Sequence, residues 1–359
     1  MSFLIAAAGT GGHIFPGLAV GEALMDLGVP KDEVLFVGGD RMEAEVYPRA
    51  GFSFLQVEMR GLRRSASAKN LNLPRLIWRA RDLIARAMDE RRVRVALAMG
   101  GYVTVPTGLA ARKAHVQLMV AEQNAGAGLA NRVISRWATR SFASFPDTPG
   151  LIRADWVGNP VRRAFSEFDR AALRPAALER YSLAPDRPVL GVFGGSLGAG
   201  VVNEAVASLC AQWDGTPIQI VHIAGPSHVD ALLSRPVAPN VTWFRLGFED
   251  RMDLFYAASD LVVGRAGGGI AELTATGTPS ILVPGEFGAH GHQTANAAYL
   301  ADAGAAIVLT EGELGRLPEV VAAILVDSRV RGDMAESSRV IGRPHAARVI
   351  AQAMKEAAR

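Results

Sequence analysis

Phe3–Ala8 is a short, wholly apolar run that ends on Gly9-Thr10-Gly11-Gly12-His13, ahead of a helix-like stretch at Pro16–Leu27. The same order returns at Val189–Phe193, Gly194-Gly195-Ser196-Leu197-Gly198-Ala199-Gly200 and Val201–Gln212. No other feature limits the fold as much. A brief uninterrupted apolar run suits a strand buried on both faces, and such strands belong to parallel sheets covered by helices. Further runs at Val34–Val37, Val95–Met99, Val116–Ala121, Ile218–Ile223, Leu261–Val263 and Ser280–Val283 keep the rhythm. The chain therefore reads as α/β, with two Rossmann-like domains. Its 359 residues agree with two domains of about 150 each. At 49% hydrophobic it can fill two cores, which excludes general disorder.

The boundary is expected near Trp156–Arg163, where Gly158-Asn159-Pro160 signals a turn. Basic residues exceed acidic ones over 1–160 and the balance reverses over 161–359, which the net charge of +3 conceals. A basic half suits an anionic lipid, a nucleic acid or an acidic substrate, and equally an ordinary arginine-rich surface. The single cysteine, Cys210, excludes an intramolecular disulfide and a cysteine metal cluster. The first residues lack the basic start of a signal peptide. The longest uncharged run, Val95–Ala111, is broken by Gly100, Gly101, Pro106 and Gly108, so no membrane span is expected.

Three glycine loops follow expected strands: Gly9–His13, Gly100-Gly101-Tyr102 and Gly194–Gly198. Such turns let backbone N–H groups approach a phosphate at a helix N-terminus. Ile14 breaks the G-x-G-x-x-G dinucleotide pattern, and no Gly-Lys-Ser/Thr follows any loop. Asp-x-Asp, a metal clamp of some nucleotide-sugar enzymes, is also absent. A bound diphosphate would thus be held by backbone, helix dipole and arginine, with no metal or other cofactor. His13 is placed to act as a general base, or else to cap its helix. Glu122-Gln123-Asn124 follows a strand, where open α/β sheets bind ligands, although Asn124 could simply cap a helix.

In the second half, Gly264-Arg265-Ala266-Gly267-Gly268-Gly269 precedes the helix Ile270–Thr276 with Glu272, whose carboxylate suits a ribose diol. Gln293 and Asn296 stand three apart at another helix start and share a face directed at a sugar. Near the front, Arg60-Gly61-Leu62-Arg63-Arg64 and the stretch Leu71–Arg94 are basic. There Leu73, Ile77 and Trp78 interleave with Arg75 and Arg79, which reads as a membrane-surface helix or as a core helix with an arginine face.

Taken together, Gly9–Ala19, Gly100-Gly101-Tyr102-Val103, Glu122–Asn131, Gly158–Arg162 and Gly194–Ala199 resemble, in order, the signatures of MurG-type glycosyltransferases. Glu272, Gln293 and Asn296 complete the series, and the resemblance spans essentially the whole chain. It implies a GT-B fold, two Rossmann-like domains facing a cleft. Residues 1–158 would bind a lipid-linked acceptor, 159–340 would bind UDP-N-acetylglucosamine, and the helix 341–359 would return to the first domain.

By that resemblance the donor is met by Arg162, Ser196, Phe248, Gly267, Gly268, Gly269, Ile270, Glu272, Gln293 and Asn296. The acceptor diphosphate is met by Thr10, Gly11, Gly12, Gly100, Gly101, Tyr102, Glu122 and Asn124, with His13 as base. The implied reaction inverts at the sugar and converts lipid I to lipid II on the cytoplasmic face of the membrane, near other cell-wall synthesis proteins and without nucleic acid. The chain departs from the family at Ala121, where histidine is common, at Val105, at His292, and by one residue fewer over Arg265–Glu272. An isomerase of the same fold, such as a UDP-N-acetylglucosamine 2-epimerase, is the alternative; it would need further acids and no lipid-facing patch.

Overall fold

A computed structural model describes residues 2–59, 72–195, 198–285 and 291–359. Arg60–Arg64, Leu71 and Ser196 lie outside the described residues. The chain divides into two units, residues 1–163 with 343–359, and residues 164–342. The sequence places these divisions after 158 and after 340.

The first unit runs β1 (Ser2–Ala6), α1 (Gly11–Asp26), β2 (Val34–Gly38), α2 (Glu43–Arg49), β3 (Ser53–Gln56), α3 (Leu73–Glu90) and β4 (Val93–Ala98). It continues α4 (Thr104–Lys113), β5 (Gln117–Glu122), α5 (Leu129–Ile134), β6 (Arg140–Ala143) and β7 (Ala154–Trp156). The strands pair in parallel in the order β3-β2-β1-β4-β5-β6-β7. After α6 (Arg163–Ser166) and α7 (Arg170–Arg180), the second unit repeats the plan. It runs β8 (Val189–Phe193), α8 (Gly200–Gln212), β9 (Ile218–Ile223), α9 (Val229–Leu233), β10 (Val241–Leu246), α10 (Met252–Ala258) and β11 (Leu261–Gly264). Then come α11 (Gly269–Thr276), β12 (Ser280–Leu282), α12 (His292–Asp302), β13 (Ala306–Val308), α13 (Leu317–Val326) and α14 (Ser328–Ile341). Its sheet order, β10-β9-β8-β11-β12-β13, is the first plan over again. Both are Rossmann-like, as the repeated strand, loop and helix predict.

The central strands are apolar throughout because both faces are covered: Leu4, Ile5, Val95, Leu97, Leu190 and Val192 are fully buried. The final helix, α15 (Ala346–Ala357), belongs to the first unit. Its Ala347, Ile350, Ala351 and Met354 join the core beneath α1, and Gln117 donates to the Ala357 carbonyl at 2.8 Å. Within the second unit, Arg170 fastens α7 by donating to the Ser259 carbonyl at 2.6 Å and to Asp260 at 2.7 Å. Cys210 is buried in that unit's core, and burial pushes its thiol up to about 12.

Two expectations are corrected. Helix α1 begins at Gly11 and not at Pro16, so Gly11, Gly12 and His13 form its first turn and Thr10 takes the extended N-cap position. The apolar side of α3 is spent on the core: Leu76, Ala80, Ile84 and Met88 are buried, and Leu73 and Ile77 pack beside them. Trp78 stays 51% exposed, its ring 4.0 Å from the Arg81 guanidinium, with Arg75 and Arg79 outside. The helix also stops at Glu90, so Arg94 lies on β4.

Candidate functional site

In each sheet the strand order reverses once, and ligands of such sheets bind beyond the strand ends at that point. In the first unit the reversal lies between β1 and β4. The loops leaving those strands are Gly9–Thr10 and Gly100–Val103. Gly101 has φ +79°, and a Cβ there would overlap the Ala8 carbonyl oxygen, so glycine is what allows the two loops to touch. Gly100 makes similar room for the His13 ring, whose Nε2 edge lies on it. Thr10 Oγ1 is 3.2 Å from His13 Nδ1. With the ring proton on Nδ1, His13 donates to Thr10. The N–H groups of Gly11 and Gly12 start the helix ahead of any intrahelical partner and suit an anion, while the His13 N–H is taken by the Thr10 carbonyl at 3.0 Å.

Glu43 governs these loops from below. It is fully buried and accepts from Gly39 N–H at 3.0 Å, from Gly9 N–H at 3.4 Å and from the Tyr102 hydroxyl. Burial, then the bond to Glu43, raises the Tyr102 phenol above its ordinary value. A second buried carboxylate, Glu122 at the end of β5, folds the next loop. Its Oε1 accepts from Gln123 N–H, Asn124 N–H and Asn124 Nδ2, each at 3.0 Å. Its Oε2 accepts from Asn131 Nδ2 at 2.8 Å and Gly128 N–H at 3.0 Å. Asn124 is therefore held by Glu122 and caps no helix; Gly128 occupies the N-cap of α5. Gln123 is 5% exposed and lies beside His13 and Gly100, and its Oε1 is buried without a hydrogen bond.

In the second unit the reversal lies between β8 and β11. Gly198, at φ +78°, would overlap the Ala224 carbonyl if it carried a Cβ. After β11, Gly267, Gly268 and Gly269 are half-buried and lead into α11, while the Ile270 side chain is in the core, leaving only its backbone for a ligand. Glu272 stands in the first turn of α11, and the Tyr256 hydroxyl donates to its Oε2 at 3.0 Å. Gln293 and Asn296 both engage backbone: Gly285 N–H donates to Gln293 Oε1 at 2.8 Å, and the buried Asn296 donates to the Ala266 carbonyl at 3.1 Å. Phe248 is 58% exposed. Beside it, Glu249 is clamped by Arg180 at 2.7 and 3.0 Å, by the Tyr181 hydroxyl at 2.7 Å and by Arg251 N–H at 2.7 Å.

Behind this face, His222 on β9 is fully buried, its Nε2 3.0 Å from Asn203 Oδ1. Asn203 Nδ2 donates to the Ala224 carbonyl at 2.9 Å, so Oδ1 is the acceptor and the imidazole is neutral with its proton on Nε2. Burial, aided by the Arg245 charge, pushes His222 down to about 3. In the unfolded chain it titrates near 6.5. Its contribution to stability is therefore complete above about pH 6.5 and falls on acidification towards pH 3, by up to about 1.4 kcal/mol per pH unit. Denaturant unfolding of the second unit at pH 7 and pH 5 should show this loss, and His222→Gln should flatten it. Equal losses in both proteins would assign the acid sensitivity elsewhere.

The structure thus gathers Thr10, Gly11, Gly12, His13, Gly100, Gly101 and Tyr102 at one reversal point, with Glu122 and Asn124 on the adjoining strand end. Gly267–Ile270 and Glu272 stand at the other, with Gln293 and Asn296 tied to the loops around it. Arg162, expected on the donor side, belongs to the first unit, its guanidinium 5.7 Å from the Phe15 ring centroid. Glu43, Tyr256 and Glu249 escaped the sequence reading. An acid in the first turn of a helix reads as a solvated, dipole-favoured residue, and nothing local marks Glu43 or Glu249 as buried.

The chain matches the glycosyltransferase family 28 N-terminal domain over residues 3–143 and the glycosyltransferase family 28 C-terminal domain over residues 189–353. A UDP-N-acetylglucosamine–N-acetylmuramyl-(pentapeptide) pyrophosphoryl-undecaprenol N-acetylglucosamine transferase from Dechloromonas aromatica is 39% identical, covering 100% of this chain and 99% of its own. A protein of the same name from Mycolicibacterium paratuberculosis is 37% identical, covering 98% and 88%. Among solved structures, MurG of Acinetobacter baumannii aligns over 99% of both chains with a TM-score of 0.78 and 27% identity. A UDP-GlcNAc 2-epimerase from Neisseria meningitidis aligns with a TM-score of 0.65 at 15% identity, over 99% of this chain and 100% of its own, and shares the fold alone.

Proposed function

Because the chain belongs to glycosyltransferase family 28, we propose that it transfers N-acetylglucosamine from UDP-N-acetylglucosamine to the 4-hydroxyl of the N-acetylmuramyl group of lipid I, giving lipid II. The carrying observation is the full-length identity of 39% to a transferase of that name. In this reading the second unit holds the donor. The Gly267–Ile270 backbone faces its diphosphate, Glu272 its ribose, and Gln293 and Asn296 the transferred sugar. Phe248 stands where the backbone meets uracil.

The first unit holds the acceptor, its diphosphate resting on the helix-start N–H groups of Gly11 and Gly12 and on the loop Gly100–Tyr102. His13 Nε2 takes the proton of the acceptor hydroxyl as the hydroxyl oxygen attacks the anomeric carbon. The bond to UDP breaks on the opposite side, and the new linkage is β. Charge on the departing UDP is met by backbone and helix dipole, so the reading needs no metal. Arg162, though part of the first unit, is retained as a diphosphate contact.

None of the described helices is long and apolar enough to cross a membrane. We place the protein at the cytoplasmic membrane surface through Trp78, Arg75 and Arg79, with Leu73 and Ile77 behind them as core supports. Changing Trp78, Arg75 and Arg79 to glutamate should abolish sedimentation with anionic vesicles; undiminished sedimentation would move the contact elsewhere. The reaction itself is tested with labelled UDP-N-acetylglucosamine and a short-chain lipid I analogue in the presence of EDTA. Label moving to the lipid supports donor, acceptor and metal independence together. Conversion of the donor to its 2-epimer, with no transfer, would favour the isomerase.

A further inference from the structure

Glu43 has a position that neither packing nor direct chemistry explains. A buried carboxylate is costly unless every oxygen is satisfied, and an apolar side chain of similar volume fills a core at least as well. Here the two oxygens reach three segments that leave three strands. Gly39 follows β2, Gly9 follows β1, and Tyr102 follows β4. The Tyr102 ring sits under the Arg41 guanidinium at 5.8 Å, so the pair also adjoins a cation. Gly9 N–H is turned inward to Glu43 and withdrawn from any ligand. The Gly11 and Gly12 N–H groups that start α1 remain for a ligand.

We propose that Glu43 is a positioning residue for the acceptor: it sets the loops after β1 and β4 at the spacing that receives the acceptor's diphosphate. The proposal rests on the reading of the first unit as the lipid-diphosphate site. Glu43 touches no substrate and acts through Gly9 and Tyr102.

The substitution Glu43→Gln keeps shape and volume but replaces one acceptor oxygen with an N–H donor. A glycine N–H, already a donor, would then face another donor, and the loops must part. Steady-state kinetics with UDP-N-acetylglucosamine and a short-chain lipid I analogue read the result. The acceptor KM is expected to rise about tenfold or more, as the loss of one charge-assisted bond would give. The donor KM should stay within about twofold, since the donor loops belong to the other unit.

Tyr102→Phe should raise the acceptor KM as well, and the double variant should be little worse than the stronger single, because both remove one network. If Glu43→Gln does not fold, Glu43→Asp carries the test. It keeps the charge and shortens the reach, and the acceptor KM should again rise alone. An unchanged acceptor KM in a folded variant overturns the proposal. So does an equal rise in both KM values, or a fall in kcat alone, which would make Glu43 a general support of the scaffold. Absence of transfer by the unaltered protein would overturn the functional reading and this proposal together, and is seen before any variant is made.

Discussion

Alanine at position 13 is expected to lower kcat about 10²–10⁴-fold, the range a positioned general base contributes. UDP affinity should hardly change, because His13 belongs to the first unit and the donor loops to the second. The expectation follows from where the ring is held. Thr10 Oγ1 engages Nδ1 at 3.2 Å, and the Nε2 edge rests on Gly100, which has no side chain to displace it. A base acting in the transition state lowers kcat and kcat/KM together when removed. Turnover measured at saturating donor and acceptor, beside calorimetry with UDP, separates the cases. A parallel loss of UDP binding would make His13 a structural residue.

The second large effect is at Glu272. Alanine there should weaken UDP binding about 100-fold, since two hydrogen bonds to a charged group contribute about 1.5–3 kcal/mol each and part of that is recovered by water. The carboxylate is half-buried at the start of α11 and steadied by the Tyr256 hydroxyl at 3.0 Å, so it is aimed before the ribose arrives. Such preorganisation reduces the ordering cost of binding. Titration of UDP into the variant checks it. An unchanged affinity would remove the ribose assignment, and a fall in kcat at full UDP affinity would place Glu272 nearer the chemistry.

The strand and loop rhythm made the two sheets legible, because parallel strands buried on both faces must be apolar and their turns must bend sharply. The glycine loops were legible for the same reason, and their glycines do stand at the two reversal points. Helix starts were less so. Gly11-Gly12 reads as loop by propensity, yet the first turn of a helix makes few intrahelical bonds and tolerates glycine there. Helix α3 leaves both a membrane face and a core face open in the sequence, because Leu73 and Ile77 share an arginine-rich helix with Trp78 and sequence alone does not say which apolar residues meet the core. Buried carboxylates were the least legible. Glu43 and Glu249 differ from surface acids only in what surrounds them, and their partners come from segments up to 69 residues away, as Arg180 does for Glu249.

Helix α15 is made of the last residues of the chain, yet it covers α1 near the beginning. The first unit is therefore discontinuous, interrupted by the whole of residues 164–342. On a ribosome, the interrupting unit emerges complete and in one piece, and can fold as soon as it clears the exit. The first unit lacks its closing helix until the interrupting unit has been made, so the apolar flank of α1 stays uncovered while residues 164–342 are synthesised. Of the two units, the one begun earlier is completed later, and it is the one open to chaperones and proteases for longer.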